Sequence, residues 1–200
     1  MKSSIQRILL ASLLLAIHCQ VASSAECLPH LISSAVVSDA DGIARIECWR
    51  FVSPMLTYPT VGIALALADV SNVTYVVLPP RASEGFHNPP HPMLFILLSG
   101  LAHVTVPDSS KDEIWVMEGL NGLLVATDLT GRGHVTEYPS DKETVALQLP
   151  FRDGKIAEHE VLYRGACQAS SQVQPNCQET GPAYADSNAG PEQYALRHLI

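Results

Sequence analysis

Gly85-Phe86-His87-Asn88-Pro89-Pro90-His91-Pro92-Met93-Leu94-Phe95-Ile96-Leu97-Leu98-Ser99-Gly100 is the stretch on which the fold turns. Pro89, Pro90 and Pro92 withhold backbone donors and forbid a helix, so His87 and His91 cannot act as a helical i, i+4 pair. The apolar run that follows has the length of a strand and stops at a glycine. Working outward, runs rich in Val, Ile, Leu, Thr and Tyr at 62–68, 73–79, 101–107, 113–117, 122–127, 133–138 and 143–149 predict further strands. Turn residues such as Pro107-Asp108-Ser109-Ser110, Glu118-Gly119 and Asn121-Gly122 separate them. The pattern predicts an all-β domain over 56–166. Upstream, 26–55 reads as an N-terminal extension, in which Val36 to Phe51, centred on Asp39-Ala40-Asp41-Gly42, predicts a hairpin that pairs with the main sheet. Downstream, 167–200 is polar and rich in Gly, Pro, Ala and Asn, which predicts an irregular tail unless a disulfide ties it down.

A second stretch, Gly122-Leu123-Leu124-Val125-Ala126-Thr127-Asp128-Leu129-Thr130-Gly131-Arg132-Gly133-His134, pairs with the first. Together they resemble the two motifs of the cupin superfamily, in which a His-bearing loop enters a strand ending in a Gly turn and Gly-x-x-His closes a facing strand. The closer likeness is to small cupins with an aromatic-His pair, a Ser-Gly turn and an acidic-x-Thr-Gly-x-Gly-His stretch. The resemblance covers about residues 60–150. It implies a double-stranded β-helix, a jelly-roll barrel of two antiparallel sheets with a cavity at its mouth. Strand count and composition agree with a barrel but do not select this one.

For the site, the resemblance implies that His87 and His134 face the cavity, with Met93 and Phe95 in its apolar wall. Metal-binding cupins carry three His and one Glu, whereas here Pro89 and Met93 stand where the second His and the Glu belong. His91 shares parity with 93, 95 and 97 and supplies a third imidazole if the strand begins that early. Two readings stay open. One is a site for one Fe, Cu, Ni, Zn or Mn ion on His87, His91 and His134; the other, favoured by the missing Glu, is a metal-free cavity lined by these imidazoles. Asp128 either contacts a ligand or orients His134, or else makes ordinary turn hydrogen bonds.

The start of the chain fixes the compartment reading. Lys2 and Arg7, the apolar run Ile8 to Ile17 and the small residues up to Ala25 predict a secretory signal peptide over 1–25, the run being too short to span a bilayer. Four cysteines remain after its removal, Cys27, Cys48, Cys167 and Cys177, which predicts two disulfides in an oxidising compartment; short-range closure favours Cys27–Cys48 and Cys167–Cys177. Asn72-Val73-Thr74 is a glycan acceptor sequence.

The formal charge of -8 for the whole chain, with Lys+Arg 12 against Asp+Glu 20, argues against a nucleic-acid partner. Nucleophile-elbow, phosphate-loop, zincin and dinucleotide motifs are all missing. His103 is expected to face solvent, Trp49 and Trp115 to pack, and Glu158-His159-Glu160 to sit in a solvated connection. The expected partner is a small molecule, with a homodimer through exposed sheet edges as a further expectation. Three functions remain open: a metal-dependent oxidoreductase or an isomerase or cyclase acting on a small organic molecule, as in microbial or fungal natural-product pathways; a non-catalytic binder of a small ligand or cell-wall component; and a secreted effector.

Overall fold

The computed structural model describes residues 28–107, 109–119 and 121–176. Among them there is no α-helix, and no helix is long and apolar enough to cross a membrane. The strands are β1 (Leu28–Ser38), β2 (Ala44–Phe51), β3 (Leu56–Thr57), β4 (Ile63–Ala64), β5 (Thr74–Leu78), β6 (Ala82–His87), β7 (Met93–Ser99), β8 (Leu101–Val106), β9 (Ser109–Met117), β10 (Leu123–Ala126), β11 (His134–Tyr138), β12 (Thr144–Pro150), β13 (His159–Arg164) and β14 (Val173–Asn176). The larger sheet runs β13-β2-β1-β10-β7-β12-β5, with β14 also on β1; the smaller runs β6-β11-β8-β9. Val36 and Ile46 of the larger sheet and Val104, Ile114 and Val116 of the smaller belong to one buried cluster, the core.

The predicted hairpin is present, but β1 and β2 are not an appendage. They lie inside the larger sheet, with β1 parallel to β10 and antiparallel to β2. Both faces of this sheet are covered, because a second cluster of Ala35, Trp49, Phe51, Leu94, Val125 and Phe151 packs with Leu65 and Leu67. Double coverage accounts for the unbroken burial of 32–36 and 93–95, where a one-sided sheet would alternate. The strand expected at 62–68 is therefore only Ile63–Ala64; most of that run serves as irregular cover for the far face.

At the hairpin tip Asp39 Oδ1 accepts the backbone N–H groups of Asp41 and Ile43, while Oδ2 accepts from Arg45 Nε at 3.0 Å. These bonds draw the Asp39 carboxyl below its ordinary range.

Sequence-near closure of the cysteines gives way to sheet register. β13 pairs with β2, which carries the chain back over Cys48, and Cys48 is bonded to Cys167 with Cα atoms 4.8 Å apart across 119 positions. The expected Cys27–Cys48 and Cys167–Cys177 pairings are corrected accordingly; Cys27 and Cys177 themselves lie outside the described residues, as do the signal segment and 178–200. The bond anchors a tail more regular than expected up to Asn176, since β14 pairs with β1.

Trp49 is buried and stacked on the His159 ring at 3.5 Å. His159 belongs to β13 instead of a connection. His103 points away from the core and stacks on the exposed Trp115 at 4.1 Å. Asn72 is exposed in a turn with φ 50°.

Candidate functional site

Two strands of the smaller sheet bring the imidazoles together. His87 ends β6, His134 begins β11, and the two are cross-strand partners whose rings lie 4.5 Å apart. Gly133 makes this approach possible: its φ is +71°, and a Cβ there would overlap the carbonyl oxygen of His87.

Each imidazole has its own carboxylate. His134 Nδ1 lies 2.8 Å from Asp128 Oδ2, with both side chains almost wholly buried. A carboxylate accepts, so Nδ1 is the donor and Nε2 is the ring nitrogen without a protein partner. Asp128 Oδ1 is buried with no hydrogen-bond partner. Burying a carboxylate with one oxygen unsatisfied costs stability, so this dyad is not explained as a packing device.

The loop that carries Asp128 is clamped from two sides. Asn88 Nδ2 donates to the Asp128 carbonyl at 2.6 Å, and Thr127 N donates to Val36 O at 2.8 Å. Ser38 Oγ donates to Thr130 O and accepts from Thr130 N.

His87 is held by Glu84, with Nε2 3.0 Å from Oε2, while its Nδ1 donates to Gly85 O. Residues three apart on a regular strand face opposite ways. Here the register of β6 against β11 shifts, Phe86 opposing Val135 and Ser83 opposing Glu137, so that Glu84 and Gly85 together oppose Thr136. Gly85 has φ +65°, and this bulge brings the Glu84 carboxylate round to His87. Tyr138 Oη donates to the other Glu84 oxygen at 2.9 Å. Burial, then the Glu84 carboxylate, pushes the Tyr138 phenol up, so it stays protonated as a donor.

The imidazole bond lowers Glu84 below its ordinary 4.5 and raises His87 above its ordinary 6.5, burial opposing both. The Glu84 contribution to stability is complete above pH 4.5 and fades as pH falls through its lowered value. That of His87 is complete below 6.5 and fades as pH rises through its raised value. Both are present between pH 4.5 and 6.5. His87→Gln is expected to lower the melting temperature by about 1–3 °C in that window and by less at higher pH. Thermal unfolding across pH checks this, and an equal loss at every pH would contradict it.

These groups border a cavity of about 30 Å³ whose apolar wall includes Met93, Phe95, Val104 and Leu124. That is room for about two water molecules, so it admits the reactive end of a molecule and leaves a bulky remainder at the mouth.

Of the residues singled out from sequence, His87, Met93, Phe95 and His134 line this cavity. Asp128 stands behind His134 instead of at the wall. His91 is exposed and precedes β7, because Pro92 and the Pro89-Pro90 pair delay the strand to Met93. The set His87, His91 and His134 is thus not assembled, and both nitrogens of His87 are engaged. Among the described residues no three His, Cys, Asp or Glu side chains are placed to hold a metal ion.

No family model matches the chain, and no curated protein matches it.

Glu84, Thr136, Tyr138 and Gln148 also line the cavity, and no sequence motif marks them. Thr136 and Tyr138 follow from parity with His134 on one strand. Glu84 was signalled only by Gly85 interrupting a strand.

Proposed function

We propose that this protein is a secreted cupin-type barrel that catalyses proton transfer on a small organic molecule, as an isomerase or cyclase does. The observation that carries the reading is the buried Asp128–His134 pair, which fixes one nitrogen as a donor to carboxylate and leaves Nε2 as a base beside an apolar cavity. The two glycine-bearing motifs, whose strands pair as β7 with β10 and β6 with β11, support the cupin-type barrel. The leader-like first 25 residues and the Cys48–Cys167 bond support a secretory route.

In this reading His134 Nε2 takes a proton from a carbon next to a carbonyl. The C–H electron pair becomes the carbon–carbon π bond of an enolate as the carbonyl π pair moves onto oxygen, and the proton returns to the same or another carbon, so no oxidant is consumed. The His87 imidazolium, paired with Glu84 and with its ring 4.5 Å from that of His134, offsets the developing negative charge. A metal on His87, His91 and His134 does not fit the donors as they stand, and no step passes through one.

The test is deuterium exchange at the α-carbons of butan-2-one in D2O, followed by proton NMR. The wild-type protein is expected to accelerate exchange, and His134→Gln to lose about 10²–10⁴-fold of that acceleration. A wild-type protein that binds the ketone and leaves its α-protons untouched would overturn catalysis and make the cavity a binding site.

A further inference from the structure

Two polar side chains in the cavity have no task in the network around the imidazoles. Gln148 opposes Phe95 in the register of β12 on β7, and Phe95 opposes Leu124 of β10. Directly opposed residues point to one side of a sheet, so the Gln148 amide shares a rung with two apolar residues of the cavity wall. From the facing sheet Thr136, two positions beyond His134 on β11, lines the same cavity. Neither side chain has a hydrogen-bond partner among the described residues.

Gln148 is only partly buried and its amide is open to the cavity, so a ligand oxygen can take its N–H in place of water. The described lining holds no lysine or arginine, and its one imidazolium, His87, is matched by the Glu84 carboxylate, with Asp128 behind His134. That electrostatic setting disfavours carboxylate or phosphate ligands.

We propose that Gln148 and Thr136 form an oxygen-binding subsite that selects an uncharged carbonyl compound. Gln148 Nε2–H and Thr136 Oγ–H donate to the carbonyl oxygen, while the adjoining carbon lies towards His134. The inference deepens the proton-transfer reading and rests on it for the orientation of the ketone. Rung and parity place one polar group on each sheet across the cavity, which suits a compact ligand head with its apolar body against Phe95 and Leu124.

The experiment follows the side-chain amide resonances of Gln148 in ¹⁵N-labelled protein, assigned with a Gln148→Leu variant. Butan-2-one is titrated in, and separately the anionic ketone 4-oxopentanoate. The ketone is expected to shift the Gln148 amide saturably and to bind about tenfold more tightly than the anion. Gln148→Leu and Thr136→Val are each expected to weaken ketone binding by a similar factor, with the backbone spectrum retained. An unmoved amide, equal affinity for the anion, or variants that bind like wild type would overturn the subsite. Binding and α-exchange fail separately: an intact Gln148 response without exchange removes the proton-transfer reading and leaves the subsite, while exchange that survives both substitutions removes the subsite alone.

Discussion

Replacing both partners of the Cys48–Cys167 bond with alanine is expected to remove about 5 kcal/mol of stability and to lower the melting temperature by about 10–20 °C. The magnitude comes from the 119-position separation of the two cysteines, which makes the loop lost to the unfolded chain a long one. The bond's place in the fold points the same way. Cys48 is wholly buried on β2, and the backbone N–H of Cys167 donates to Ser34 Oγ on β1, so the bond closes the sheet edge at β13. Thermal unfolding of Cys48→Ala/Cys167→Ala beside the wild type reads the effect. A loss under about 1 kcal/mol would mean that β13 and the following segment hold by register alone.

The second large effect is on chemistry. Asp128→Asn is expected to cut α-proton exchange by about 10²–10⁴-fold while the fold persists. An asparagine amide can donate where the carboxylate only accepts. Offered to His134 Nδ1, it stabilises the tautomer with its proton on Nε2, which disables the base. Stability changes little, since the substitution keeps the shape of the side chain and removes the charge of a buried carboxylate while one oxygen stays unpartnered as before. A merely structural Asp128 would give the reverse pattern, with stability lost and the exchange rate per folded molecule unchanged. The ring-nitrogen shifts of His134 in the variant separate the two.

What could be read from the sequence, and what could not, divides along local and non-local physics. Met93–Ser99, Leu101–Val106 and Thr144–Pro150 are strands in which apolar residues and turn glycines agree, and they form where expected. β6 is not legible in the sequence because Gly85 breaks its alternation and its residues from Ser83 to Phe86 are exposed. β13, with Glu160 and Arg164, has the composition of a solvated connection and becomes a strand because β2 offers it an edge. The disulfide followed the same rule: chain proximity pointed to near neighbours, and sheet order chose Cys48 and Cys167.

In the site, His87 and His134 could be found because glycines mark their turns. Glu84 could not be, because only a bulge turns it towards His87. Gln148 was hidden for a different reason. A single amide in an apolar strand carries no motif, and its meaning lies in the missing partner.

The catalytic role of His134 depends most directly on the protonation pattern of its ring. A long-range ¹H–¹⁵N correlation spectrum of the wild-type protein, with His134 assigned by substitution, reports which nitrogen carries the proton. An Nδ1–H tautomer bonded to Asp128 is expected, with an Nε2 resonance that moves when butan-2-one is added. A proton resident on Nε2 with Nδ1 bare, or an Nε2 indifferent to the ketone, would contradict the role of His134 as the base.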